Sequence, residues 1–204
     1  DFNTTQADFS NDRCIHQLFE TEAARRPDAV AVVYENDVLS YAALDERAGC
    51  LSAYLRTLGV GPGVTVAIRM ERSLDVIVAI LGILKSGGAY VPLDPSLPKR
   101  RAEMLIEDSR ALVLLTHQRW VDALDGCNAR VIALDGQWEA IAQHTGRSSS
   151  PRVTPGDVVY TMFTSGSTGT PKGVQVEHRQ LANYVHGVVA RLDPPSGASF
   201  ATVS

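Results

Sequence analysis

The stretch "YTMFTSGSTGTPKGVQVEH", Tyr160 to His178, sets glycines, small hydroxylated residues and then a lysine between two segments of strand character. "VVYTMF" is β-branched and aromatic, and "GVQVEH" alternates apolar with polar side chains, so both read as strands. The intervening "TSGSTGTPKG" reads as a loop, because an interior glycine costs a helix about 0.5–1 kcal/mol and a proline about 3 kcal/mol. Gly166, Gly169 and Gly173 are expected to permit positive φ, letting successive N–H groups turn inward as a nest for an anion. Thr164, Ser165, Ser167, Thr168 and Thr170 add hydroxyl groups, and Lys172 adds a point charge suited to phosphate. The segment reads as a polyphosphate cradle; the competing reading is a flexible hairpin tip, since the same residues dominate ordinary turns.

A third possibility, the nucleotide loop G-x-x-x-x-G-K-[ST], fails on its own residues. Pro171 precedes Lys172 where glycine is required, and Gly173 follows where a hydroxyl should hold magnesium. A strand also follows the loop where that motif demands a helix.

Outward from this stretch, the preceding chain alternates strands with helices. "IHQLFETEAARRP" places Ile15, Leu18, Phe19 and Ala23 on one helical face and stops at Pro27. "AVAVVYE" reads as a strand closed by Asn36-Asp37. Tyr41, Leu44, Ala48, Leu51, Leu55 and Leu58 then recur at helical spacing, and Gly59 supplies the stop. "VTVAI" is a strand, Leu74 to Leu84 a helix ending at Gly87-Gly88, "AYVPL" a strand, "RAEMLIEDS" a helix and "ALVLLT" a strand. "RWVDAL" reads as a helix and "RVIAL" as a strand, while His144 to Asp157 reads as a surface linker. After the loop, "HRQLANYVHGVVARL" reads as a helix opened by His178, and Ser199 to Ser204 resembles the start of another strand. The pattern stops in mid-element, as in a chain cut rather than finished. This alternation predicts an α/β fold with helices packed on a largely parallel sheet, in which ligands bind beyond the carboxyl ends of strands.

Composition narrows the function classes. With 45% hydrophobic and 21% charged residues, the 204-residue chain is ordinary globular material. A net charge of -4 and a pI near 5.7, without blocks of lysine and arginine, argue against nucleic acid or an anionic membrane surface as partner. The longest apolar run, Val76 to Leu84, falls short of the about 20 residues a bilayer requires. The polar start lacks a secretory signal. Cys14, Cys50 and Cys127 form no C-x-x-C pair and suit reduced thiols of a cytoplasmic protein. His178 and His186 lack metal-ligand spacing, so no metal site is assigned to histidine and cysteine. Asp94, between Pro92 and Pro95, reads as a turn carboxylate, Gly87-Gly88 as a tight helix-to-strand turn, and His178 as structural.

"FTSGSTGTPKGV" resembles the phosphate-binding signature of adenylate-forming enzymes, the AMP-binding superfamily of acyl-CoA synthetases, luciferases and nonribosomal peptide synthetase adenylation domains. "LKSGGAYVPLDPSLPKRR" (Leu84 to Arg101) and "LSYAALDERA" (Leu39 to Ala48) are similar to two earlier core motifs of amino-acid-activating adenylation domains. "CIHQLFETEAARRPDAVAVV" resembles their usual opening, and "FNTT" resembles the end of a linker from an upstream condensation domain.

The resemblance implies residues 1–13 as that interdomain linker and residues 14–204 as the amino-terminal portion of an adenylation domain, within the large subdomain of the fold. It implies that Thr164, Ser165, Gly166, Ser167, Thr168, Gly169 and Lys172 wrap the β- and γ-phosphates of ATP bound with Mg2+. Phe163 stands where many members carry tyrosine. The implied reaction joins an amino-acid carboxylate to the α-phosphate, giving an aminoacyl-adenylate and pyrophosphate. The aminoacyl group then passes to the phosphopantetheine thiol of a peptidyl carrier domain. The family's catalytic lysine, its ribose-binding and amine-binding aspartates and its selectivity pocket have no counterpart within these residues, so no catalytic residue is assigned and the 204 residues alone are expected to be inactive. Two alternatives stay open at this point: an acyl-CoA ligase-type relative, and a non-catalytic remnant that binds nucleotide or docks a neighbouring domain.

Overall fold

A six-stranded sheet organises the computed structural model, which describes residues 13–124, 126–144, 151–164, 171–195 and 198–200. Its strands are β3 (Thr65–Arg69), β4 (Ala89–Pro92), β5 (Val113–Thr116), β6 (Arg130–Ala133), β7 (Val158–Thr164) and β8 (Lys172–Glu177). β1 (Val30–Tyr34) and β2 (Asp37–Ser40) form a separate antiparallel hairpin. The six strands lie in the order β6-β5-β3-β4-β7-β8. Every pair is parallel except β7 with β8, which is antiparallel. The expected α/β class with a largely parallel sheet is therefore observed.

The central strands are apolar on both faces because helices cover both. Val66, Ile68, Val113, Leu115, Ile132 and Leu134 face one apolar cluster, packed with Leu51 and Leu55 of α2 (Tyr41–Thr57) and Val78 and Ile83 of α3 (Leu74–Ser86). Ala67, Val91 and Leu114, one residue out of phase, face a second cluster with Leu105 and Ile106 of α4 (Lys99–Asp108). Helix α2 starts where Ser40 Oγ accepts from Ala43 N at 3.2 Å, and the chain turns away through Gly59 at φ 89°. Helix α3 ends at Gly87 in the left-handed region, and a Cβ at the neighbouring Gly88 would lie 2.8 Å from Val60 Cγ1. The Gly87-Gly88 pair thus makes the tight passage into β4.

α1 (Ile15–Arg25) and α6 (His178–Leu192) fall where helical periodicity put them. Three details differ from the sequence reading. "RWVDAL" is not a helix: Gln118–Trp120 and Asp122–Leu124 are successive 3-10 turns, closed by Trp120 N to His117 O at 2.9 Å and Leu124 N to Val121 O at 2.9 Å. β2 pairs with β1, although its first residue belongs to the expected turn. α5 (Trp138–Ala142) is a short helix within a stretch given no element. Residues 1–12, and with them "FNTT", lie outside the described residues, as do Ala201 to Ser204.

Candidate functional site

β7 and β8 form an antiparallel hairpin in which Thr164 faces Lys172, Phe163 faces Gly173, Met162 faces Val174 and Thr161 faces Gln175. β7 runs parallel to its neighbour β4, so the connection between Thr164 and Lys172 leaves the sheet at the carboxyl edge, where open α/β sheets bind ligands. Of the predicted cradle residues, Thr164 and Lys172 are brought directly opposite each other, both exposed, and Thr164 Oγ1 lies 3.4 Å from the Lys172 carbonyl oxygen. Ser165, Gly166, Ser167, Thr168 and Gly169 lie outside the described residues.

Gly173 corrects one expectation. It sits inside strand β8 and is absent from the glycines with positive φ. Space there is tight: a Cβ would lie 3.2 Å from Thr161 Cγ2 and 3.4 Å from Phe163 Cε1. The missing side chain leaves room for the Phe163 ring beside the second strand, and Phe163 packs onto the apolar cluster under α4.

The hairpin is anchored from behind. His178 begins α6 at the end of β8, is 1% exposed, and accepts a hydrogen bond on Nδ1 from Ile15 N at 3.3 Å. Its ring meets His16 edge-on at a centroid distance of 5.5 Å. Burial first, and then the neighbouring His16, push the His178 imidazole down to about 4, against an opposing pull from Asp157. A neutral ring is the state that can accept from Ile15 N, so His178 is a structural residue tying β8 to α1. His178 N also donates to Asp157 O at 3.0 Å, which joins the start of α6 to the entry of β7.

The remaining sequence candidates occupy turns. Asp94 Oδ1 accepts from Ser96 N at 2.8 Å and from Ser96 Oγ at 2.6 Å, and these bonds, ahead of the Arg69 charge, hold its carboxyl below the ordinary range. The three cysteines are free thiols. Among the described residues no group of three His, Cys, Asp or Glu side chains is arranged to hold a metal ion.

An exposed lysine and an exposed threonine thus face each other at the two ends of a connection rich in glycine and hydroxyl residues, at the carboxyl end of β7. Comparison with known proteins gives this fold its class. Residues 19–202 match the family model described as AMP-binding enzyme, and the chain belongs to that family. It is 42% identical over 190 residues to bacitracin synthase 3 of Bacillus licheniformis, covering 91% of this chain and 3% of that protein. It is 42% identical over 175 residues to zwittermicin A synthase ZmaJ of Bacillus cereus, covering 84% of this chain and 32% of that protein.

Among solved structures, the nonribosomal peptide synthetase FmoA3 superposes with a TM-score of 0.83 at 34% identity, over 92% of this chain and 20% of that one. VinN, solved with 3-methylaspartate, has a TM-score of 0.84 at 22% identity over 92% of this chain and 54% of that one, which shows the shared fold. The chain thus spans a small part of most of the proteins it resembles.

Proposed function

We propose that this chain is the amino-terminal portion of an adenylation domain that activates an amino acid with ATP, forming an aminoacyl-adenylate and pyrophosphate. The observation that carries the reading is the β7–β8 hairpin, which sets Lys172 and Thr164 opposite each other around "SGSTGTP" at the carboxyl edge of the sheet. Family membership supports it, as does FmoA3, which was solved bound to alpha-methyl-L-serine-AMP.

In this reading Thr164, Ser165, Gly166, Ser167, Thr168, Gly169 and Lys172 hold the β- and γ-phosphates. The donor set fits that role, with hydroxyls, backbone N–H groups and one exposed ammonium, and with no carboxylate in the connection to repel the ligand. Mg2+ bound with the nucleotide would neutralise further phosphate charge. As the substrate carboxylate attacks the α-phosphate, the bond to pyrophosphate breaks and negative charge gathers on the leaving group. Lys172 and the hydroxyls stabilise that charge and keep the leaving group in line. Transfer to the phosphopantetheine thiol of a carrier domain would follow in the cytoplasm, with a condensation domain joined through residues 1–13.

Amino-acid-dependent exchange between ATP and labelled pyrophosphate, across a panel of amino acids, tests this in the full polypeptide to which these residues belong. Exchange with one or a few amino acids is expected. Absence of exchange from the folded, complete polypeptide would remove the reading. The 204 residues alone are expected to be inactive, and robust turnover by them would contradict the division of labour proposed.

A further inference from the structure

Helix α4 is charged against its own dipole. The free N–H groups of a first helical turn carry partial positive charge and favour acidic neighbours, while the last turn favours basic ones. In α4 the first turn holds Lys99, Arg100 and Arg101 and no acid, and the helix closes on Glu107 and Asp108. Pro98 stands at the cap position and makes no side-chain hydrogen bond to the turn. Lys99 and Arg100 are exposed. Lys99 lies 3.8 Å from Glu103 and Arg101 Nη1 meets Met104 Sδ at 4.0 Å, but among the described residues neither Arg100 nor Arg101 has a carboxylate partner.

A second, independent cation is directed at the same place. Arg69 ends β3 and is only 4% exposed. Its Nη2 donates to Pro95 O at 3.0 Å and to Leu97 O at 2.8 Å, which fixes the guanidinium against the residues that lead into Pro98 and α4. Its Nε and Nη1 are buried without an acceptor, and no carboxylate pairs with its charge, among the described residues. Asp94, the acid of the same connection, gives Oδ1 to Ser96 N and Ser96 Oγ instead. A buried guanidinium without a counter-charge is costly, and so is a cationic first turn. One bound anion at this end of α4 offsets both costs.

We propose that the amino end of α4, with Lys99, Arg100, Arg101 and the buried Arg69, binds a phosphate group, free or carried on a small molecule. Phosphate suits the donor set because its several oxygens can take the uncapped N–H groups and the planar guanidinium groups together. β3 and β4 run parallel with Ile68 beside Pro92, so Arg69 and the entry to α4 both lie past the carboxyl ends of their strands, where open α/β sheets take ligands. The inference does not depend on the adenylation reading.

Equilibrium dialysis of the full polypeptide against labelled inorganic phosphate, at constant ionic strength in chloride, tests it. Lys172→Ala is present in every sample, so that phosphate held by Lys172 is not counted. Saturable binding is expected. Lys99→Gln with Arg100→Gln, two exposed positions, is expected to weaken it at least about tenfold, the size of one lost charge-assisted contact, and Arg69→Met by a similar factor. The double glutamine variant is also expected to melt no lower than its parent in phosphate-free buffer, because it removes two cations from a helix amino end. Displacement of the label by glycerol 3-phosphate would assign the site to a phosphate carried on a larger molecule, and displacement by inorganic phosphate alone would assign it to the free ion. Absence of saturable binding, or binding undiminished by the double glutamine variant or by Arg69→Met, would overturn the inference and leave the adenylation reading standing.

Discussion

Lys172 carries the chemistry proposed for the site at the least structural expense. It is exposed, its backbone is fixed by pairing with Thr164, and no other described side chain depends on it for an ion pair. Lys172→Ala in the full polypeptide is therefore expected to lower pyrophosphate exchange by about 10²-fold, the size of effect seen when one preorganised donor is removed, while the thermal midpoint stays at the wild-type value. Gly82 shows the opposite balance. A Cβ there would lie 2.7 Å from Leu51 Cδ2 where α3 crosses α2, and Gly82→Ala is expected to cost about 1–3 kcal/mol in denaturant unfolding. At this scale the sequence showed which residue types the loop holds but not what each does. The nest expected at Gly173 became a strand position facing Phe163, because cross-strand contacts depend on a register that composition does not contain.

Among the elements, the contact of α1 with α6 should show itself in acid. His16 is pushed down to about 4 by burial and then by Lys85, and His178 to about 4 by burial and then by His16. The unfolded chain, with histidines near 6.5, binds more protons than the folded one between about pH 4 and 6.5. Stability is thus expected to fall as pH drops through that window, and thermal midpoints measured between pH 7 and 4 should show it. His16→Gln with His178→Gln should flatten the slope; an unchanged slope would locate the acid sensitivity elsewhere. Lys85 joins the same layer, reaching Glu20 of α1 at 2.6 Å and Asp45 of α2 at 2.9 Å. Long periodic elements were legible: α2 from Tyr41 to its stop at Gly59, α3 up to Gly87, and the apolar strands β3 and β5. Short ones were not. β2 and α5 hold too few residues to show a period, and "RWVDAL" has helical composition but is too short to complete a run of α-helical bonds, so it closes as 3-10 turns.

At the scale of the whole molecule, the sheet among the described residues ends at β8, a strand exposed along most of its length, with its own Val174 and the facing Met162 of β7 both exposed. Helix α6 is buried at His178 and Ala182, yet its later turns show Tyr184, Val189 and Leu192 to solvent. Apolar surface and an open strand edge together favour association, so the 204-residue chain expressed alone is expected to elute as more than a monomer in size-exclusion chromatography with light scattering. The parallel α/β class was legible from the alternation of strand and helix patterns. The order β6-β5-β3-β4-β7-β8 was not, because crossover directions depend on which helix covers which face.

Whether the hairpin at the carboxyl edge serves ATP is decided most directly by amino-acid-dependent exchange of pyrophosphate into ATP by the full polypeptide, measured for wild type and Lys172→Ala side by side. The expected result is exchange with one or a few amino acids in the wild type and its near loss in the variant at unchanged thermal stability. Exchange that is undiminished by Lys172→Ala, or no exchange from a folded wild-type polypeptide with any amino acid, would contradict it.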